Sequence, residues 1–300
     1  MPISIFRLAR PLFALVLALA AAAALPHQSA AQGTDTVAVA QDSILEIRLT
    51  DGSVLYGRII EDLGERVVLQ TRSGATITLD RTQIASMSLV RGRMVNGQVW
   101  PDDPHATRLF FGPTARAIER GEGYFGVYEL FFPFVSYGLT DRFTISAGTP
   151  IVPEAIGEIF YLAPKYEVIR TGNTSAAVGV LALFATSALE GGSVGLLYGV
   201  GTFGSPDGAV TVGATVPFVA GSEDGDIGHD PAFMLGGEAR LTRRTKMITE
   251  NYLFPKHGAL VSGGVRFFGE RLSADFGVGV AFGEGETECC LPLVNFIYSF

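Results

Sequence analysis

RLSADFGVGVAF, residues 271–282, carries two unlike faces on one backbone. Successive side chains of a strand point to opposite sides. Leu272, Ala274, Phe276, Val278, Val280 and Phe282 therefore share one face, and Arg271, Ser273, Asp275, Gly277 and Gly279 the other. The same division recurs in RFTISAGT (142–149), with Phe143, Ile145 and Ala147 against Arg142, Thr144, Ser146 and Gly148. In ALVSGGVRF (259–267), Val261, Val265 and Phe267 oppose Ser262, Gly264 and Arg266. The final stretch, LPLVNFIYSF (291–300), places Val294, Phe296, Tyr298 and Phe300 in one large apolar row. A soluble sandwich also alternates, but it turns large residues inward and clothes its outside with charge. This half of the chain is too lean in Lys and Glu for that, and an apolar edge left in water invites aggregation. Lipid is the medium that suits such faces.

Composition agrees. Of 300 residues, 48% are hydrophobic and only 17% charged, and the 37 glycines and 21 phenylalanines favour short strands and tight turns over long helices. The formal charge of −8 excludes a nucleic-acid partner as an expectation, because that role needs a basic face to neutralise phosphates. At the start, Arg7 and Arg10 precede the apolar run PLFALVLALAAAAAL (11–25), followed by Pro26 and by Ser29 and Ala31 ahead of Gln32. This reads as an export signal over residues 1–31, too short to span a bilayer comfortably. No cysteine follows it, so a lipoprotein anchor is not expected. The two cysteines, Cys289 and Cys290, are adjacent. Side chains diverge on an extended backbone, so they are expected not to bridge each other but to be free or to pair with another chain.

The chain divides into unlike parts. Residues 42–90 hold ILEIRLT (44–50), VLYGRII (54–60), RVVLQT (66–71), TITLD (76–80) and RTQIASMSLV (81–90). Each run alternates, and the gaps carry Asp-Gly, Gly or Ser-Gly, which are hairpin signals. LTDGSVLYGRI (49–59) resembles the strand-turn-strand opening of Sm-like and SH3-like small barrels. That resemblance implies a small β-barrel domain. RNA binding is not carried over, because EDLGER and TRSGAT stand where that family has Asn-rich or basic glycine loops. The segment reads as a periplasmic interaction module with a protein partner, or as a folded spacer. Residues 91–106, RGRMVNGQVWPDDPHA, read as a linker broken by Pro101 and Pro104, with Trp100 as an interface anchor or an inter-domain contact.

From residue 107 the rhythm changes to segments long enough for a tilted strand to cross a bilayer. About twelve are expected, the even number being usual for such barrels: 107–115, 122–134, 142–150, 158–170, 174–186, 192–204, 208–220, 231–242, 245–253, 258–268, 271–283 and 291–300. Short gaps alternate with longer ones, the pattern of short periplasmic turns and longer external loops. VNFIYSF (294–300) is similar to the C-terminal assembly signal of Gram-negative outer-membrane β-barrels, with Val294, Phe296, Tyr298 and Phe300 as its alternate positions. The resemblance implies an all-β fold, a transmembrane antiparallel up-and-down barrel over 107–300, preceded by the small Sm/SH3-like domain. It also implies two partners, outer-membrane lipid and the barrel assembly machinery. Pro164 in YLAPKYEV departs from the pattern, since its missing N–H interrupts a ladder unless a bulge sits there.

Charges are too costly on the lipid side, so Glu129, Lys165, Glu167, Glu238, Arg240, Glu250, Arg266 and Asp275 are expected to face the lumen. Two readings follow: a polar solute path, or a salt-bridged plug that holds a narrow barrel in shape. In SEDGDIGHDP (222–231), Asp224, Asp226 and Asp230 have a spacing that lets carboxylates converge on calcium, although Leu235 stands where an EF-hand has its final Glu. No other cofactor is indicated. For enzyme chemistry only His229 and His257 remain outside the signal and linker, and no G-x-S-x-G frames a nucleophile in the barrel. The expected protein is therefore non-enzymatic, a small-solute channel or structural envelope component. The alternatives are a secreted or periplasmic all-β binding protein and a lipid-modifying barrel.

Overall fold

Alternation at period two along nearly the whole second half builds strands that can only pair with each other, and they do so in a ring. The structure is a computed structural model describing residues 44–71, 74–90, 92–95, 98–152, 157–185, 193–220, 226–228, 230–283 and 286–300. The expected export signal, residues 1–31, lies outside them. Two compact units emerge, one ending at Asp102 and the other comprising Asp103–Phe300.

The first unit contains β1 (Ile44–Leu49), β2 (Val54–Asp62), β3 (Arg66–Gln70), β4 (Thr76–Asp80) and β5 (Ile84–Val90), in the order β4-β3-β2-β1-β5. The Asp51-Gly52 turn works because Gly52 takes φ 87°, a left-handed conformation that costs glycine little, while the Asp51 carboxylate accepts the Ser53 amide at 2.8 Å. Leu45, Ile47, Leu69 and Leu79 form its core. All five expected strands are present, but β4 and β5 do not pair among the described residues, so this unit is an open five-stranded sheet rather than a closed small barrel. The expected linker is not bare coil: β6 (Gly92–Val95) and β7 (Gln98–Pro101) form a hairpin, with Arg93 over the Trp100 ring.

The second unit is a barrel. Its strands are β8 (Gly123–Tyr128), β9 (Phe132–Gly138), β10 (Phe143–Gly148), β11 (Ile159–Thr171), β12 (Thr174–Ala185), β13 (Ser193–Ser205) and β14 (Gly208–Ala220). There follow β15 (Asp226–Ile227), β16 (Ala232–Thr242), β17 (Thr245–Phe254), β18 (Gly258–Phe268), β19 (Leu272–Gly283) and β20 (Glu286–Ser299). Setting aside the two-residue β15, which only lengthens β14, twelve antiparallel strands pair neighbour to neighbour. The last pairs with the first, Ser299 opposite Tyr124 through Asn295 opposite Tyr128, and the ring is closed.

The expected faces hold. On β19, Leu272, Phe276, Val278 and Phe282 are exposed while Ser273 and Asp275 are buried. On β20, Phe296, Tyr298 and Phe300 are exposed, and Leu293, Asn295 and Ile297 are buried. Phe125 stacks on Phe300 and leans on Tyr298 across the closing seam. The barrel thus presents apolar side chains to its surroundings and turns the charges of its wall, among them Lys165, Glu167, Lys246, Arg266 and Asp275, inward. Tight turns at 172–173, 206–207 and 243–244 share one end with Gly123 and Ser299, and the longer connections share the other.

Three expectations need correction. Residues 107–115 are not a wall strand: apart from a single bridge between Arg108 and Pro113, they run without ladder pairing. The span 122–134 is not one strand but β8, a turn and the first three residues of β9, turning at Glu129 and Leu130 with φ 48° and 63°. The count of twelve survives because one strand is lost and one gained. Cys289 and Cys290 are joined to each other in a vicinal disulfide. An extended backbone would separate them, but here the register shifts between Gly279 and Ala281 and Cys290 takes φ 66°, so the chain is locally not extended. Pro164 sits inside β11 with no bulge at that point. It stands opposite Ile145 of β10, and the β12 ladder skips from Leu162 to Lys165.

Candidate functional site

A segment without secondary structure inside a closed barrel must find partners for its backbone groups, because neither water nor a sheet ladder supplies them. Residues 103–118 solve this with wall side chains. The Glu250 carboxylate accepts the amides of Phe110, Phe111 and Gly112 at 2.7, 3.0 and 3.0 Å. Thr202, Glu167 and Thr144 take those of Ala115, Ala117 and Ile118. In the other direction, the Lys165 ammonium donates to the carbonyls of Thr107, Thr114 and Arg116 at 3.2, 2.9 and 2.7 Å. Arg266 donates to those of His105 and Leu109, and Asn295 to that of Phe110. The segment plugs the half of the barrel nearer the tight turns.

Ion pairs lock it further. Arg266 grips Asp275 at 2.7 Å and Asp103 at 3.2 Å, Asp103 also accepts Lys246 at 2.9 Å, and Lys246 reaches Glu238 at 2.8 Å. Arg116 pairs with Glu238 at 2.5 Å and Arg108 with Asp275 at 2.8 Å. Asp103, Lys246, Arg266 and Asp275 have no appreciable solvent exposure. His105 is held between Ser273 and Ser299, whose hydroxyls lie 2.7 and 2.9 Å from its two ring nitrogens. Burial, reinforced by the neighbouring Arg108 guanidinium, holds this luminal imidazole well below the ordinary histidine range, so it is neutral: one ring nitrogen donates to one hydroxyl and the other accepts from the second.

The eight expected lumen residues divide clearly. Lys165, Glu167, Glu238, Glu250, Arg266 and Asp275 are buried and touch the plug or its ion pairs. Arg240 lies at the tight-turn end, paired with Asp207 at 2.8 Å and over the Phe268 ring. Glu129 is in the β8–β9 turn, where its carboxylate accepts the Val294 amide at 3.2 Å. Sequence reasoning missed Asp103, His105, Arg108, Arg116, Lys246 and Asn295. Lys246 and Asn295 were legible from strand parity, since Lys246, Arg266, Asp275 and Asn295 stand opposite one another across four adjacent strands. The others lay in residues read as linker, strand and loop.

The plug packs by shape as well as charge. Leu109 and Phe110 are wholly buried, and a Cβ added to Gly236 would run into the Leu109 side chain. Gly236→Val is accordingly expected to unseat Leu109 at a cost of about 1–3 kcal/mol. Limited proteolysis near residues 107–112 measures this, and protection equal to wild type would refute it.

Towards the long-loop end the lumen opens into a cavity of about 490 Å³. Its walls are mainly apolar and aromatic, including Phe134, Tyr161, Leu183, Leu196 and Met234, with Arg108 among the few charged residues lining it. Tyr128 stacks on Phe134 at 4.1 Å, and Phe111 of the plug meets Tyr128 edge-on at 5.3 Å. No group of three or more metal-ligating side chains occurs among the described residues. Of the calcium candidates, Asp224 lies outside those residues, as does the side chain of Asp226, and Asp230 is bound by Lys256 at 2.5 Å. His229 lies outside them too, and His257 occupies the β17–β18 turn.

No protein-family model matches the chain, and neither does any curated protein. Among solved structures, the KdgM porin in complex with disordered oligogalacturonate aligns at a TM-score of 0.44 with 10% identity, over 60% of this chain and 98% of that one. The NanC porin aligns at 0.38 with 8% identity, over 59% and 97%. A loop-deleted OmpT, an outer-membrane protein of Vibrio cholerae, aligns at 0.33 with 12% identity, over 86% and 96%. No functional weight rests on likenesses this distant; the barrel is established by the chain's own strand pairing.

Proposed function

We infer that this chain is a non-enzymatic outer-membrane β-barrel that handles a small solute. In this reading its lumen is stoppered over one half and open as a pocket over the other. The observation that carries it is the sorting of side chains by face. Phe276, Val278, Phe296 and Phe300 look outward from a closed ring, while Lys246, Arg266 and Asp275 have no exposure at all. An exposed apolar belt on a closed barrel suits hydrocarbon, because the closed ring of ladders satisfies most wall backbone groups without water. The plug argues for a gated or ligand-holding barrel over a wide pore, since a solute crossing it would have to displace residues bonded to Glu250, Lys165 and Arg266.

The twelve-strand ring brings both of its ends to the tight-turn side, which in this reading is the periplasm. Lipid of the outer membrane and the barrel assembly machinery, through Val294, Phe296, Tyr298 and Phe300, are the partners proposed. For the first unit, contact with a periplasmic protein and a folded spacer both remain the proposed roles. Calcium at Asp224, Asp226 and Asp230 gains no support from an Asp230 already paired with Lys256.

Two measurements test the reading. After carbonate washing the protein is expected in the membrane fraction, and recovery in the soluble fraction would overturn the outer-membrane assignment. In planar bilayers wild type is expected to be electrically quiet, and large steady steps would overturn the plug.

A further inference from the structure

Resting on the barrel reading above, we propose that the luminal cavity is a binding site for a single-chain fatty acid reached sideways from the outer leaflet of the membrane. Two independent features of the barrel lead there.

The first is an unsatisfied donor in an apolar chamber. Arg108 is 3% exposed and lines the cavity. Its Nη1 is engaged by the carbonyls of Leu109 and Phe110 and by Asp275. Its Nε and Nη2 have no hydrogen-bond partner among the described residues. Buried guanidinium N–H groups left unpaired are costly, and such exceptions call for an explanation. A carboxylate is the acceptor whose geometry suits two donors of one guanidinium. The Tyr128 ring, 5.6 Å from the guanidinium carbon, closes the same corner. Beyond this corner the walls are apolar and aromatic, and the volume of about 490 Å³ falls within the ~300–1,000 Å³ usual for small-molecule pockets. One charged corner and a long apolar remainder describe a fatty acid. The Lys165 ammonium, also on the lining, is already taken by three plug carbonyls. Glu129, the acid on the lining, belongs to the β8–β9 turn, where its carboxylate accepts the Val294 amide.

The second feature is a low place in the wall. β8, β9 and β10 have 6, 7 and 6 residues, whereas a tilted strand needs about 9–11 to cross a bilayer. The other wall strands run from 10 to 14. β8 covers β20 only from Asn295 to Ser299, so among the described residues the edge of β20 from Glu286 to Leu293 has no strand beside it there. An open edge is not left facing hydrocarbon unless it borders a cavity or protein. This edge also carries the Cys289–Cys290 bulge and Pro292, devices that discourage strand addition. Around the low rim Leu130, Phe131, Phe132 and Ile151 are exposed, and Phe132 lines the cavity as well. An acyl chain lying in the leaflet meets a greasy sill that leads inward.

The test uses the full mature chain in nanodiscs. Titration calorimetry with dodecanoate, 1-dodecanol and dodecyltrimethylammonium is expected to give saturable binding of the acid, about 10- to 100-fold tighter than either other probe. Arg108→Met should abolish that preference. Because Arg108 also holds Asp275, Leu196→Trp provides a second variant that fills the chamber with Arg108 intact, and it should block dodecanoate. Equal affinity for the three probes, or unimpaired binding to Leu196→Trp, would overturn the site. A photoactivatable fatty acid delivered in proteoliposome membranes should label Phe132 or Tyr128 in addition to the outer belt. Labelling of the belt alone would overturn lateral access while sparing the barrel, and absence of belt labelling would overturn the barrel reading itself.

Discussion

Asp275→Asn is expected to loosen the plug and open a conductance while leaving the twelve-strand wall assembled. The side chain keeps its shape but loses the charge that Arg266 and Arg108 approach at 2.7 and 2.8 Å. Two guanidiniums are then left in a site without solvent exposure, and one of them still faces Asp103 alone. Breaking a buried pair by removing one partner costs about 3–5 kcal/mol, because the surviving charge stays desolvated. The wall has its own ladders and retains them. The expected readouts are a lower thermal midpoint for loss of plug protection and frequent bilayer openings where wild type is quiet. Replacing Arg266 and Asp275 together by Met and Leu should recover much of the loss, since apolar pairs of similar volume often replace ion pairs at little cost. A variant with wild-type midpoint and silence would mean that these ion pairs do not hold the stopper.

Val278→Arg should prevent stable insertion. Val278 is 56% exposed at the middle of β19. An arginine facing lipid near the midplane costs about 2–4 kcal/mol, falling to about 0–1 near the interfaces. Leu272→Arg, equally exposed but at the strand end, is therefore the internal control and should fold nearly as wild type. Folded fraction in liposomes, read by protease resistance, separates the two. If both variants fold equally well, hydrocarbon does not cover this face.

How much of this was legible in the chain follows from which forces act locally. Strand parity at 258–268, 271–283 and 291–300 is local: a residue's neighbours decide its side, so Phe276, Val278, Phe296, Arg266 and Asp275 could be assigned before any fold was known. Strand pairing followed from turn chemistry, and ten of the wall segments lay where alternation put them. Residues 107–122 defeated this reasoning. RLFFGPTA has the length and apolar content of a wall segment, yet its amides and those just after it are held by Glu250, Thr202 and Glu167, residues distant in sequence. Nothing within the segment announces partners so far away. The cysteine pair failed for a related reason: its bridge depends on a register shift that β19 and β20 settle between them.

Sequence by itself thus determined that the second half forms strands with one apolar and one polar face, because alternation at period two needs no tertiary information. Parity also turned Lys165, Glu167, Glu238, Glu250, Arg266 and Asp275 to the side that is buried. Only the tertiary structure decided what they do there: they bind a plug in place of solute, and they leave Arg108 with two unmet donors beside an apolar chamber. A lumen's contents depend on the volume a closed ring encloses and on which distant segment fills it, and neither quantity exists until the ring has closed.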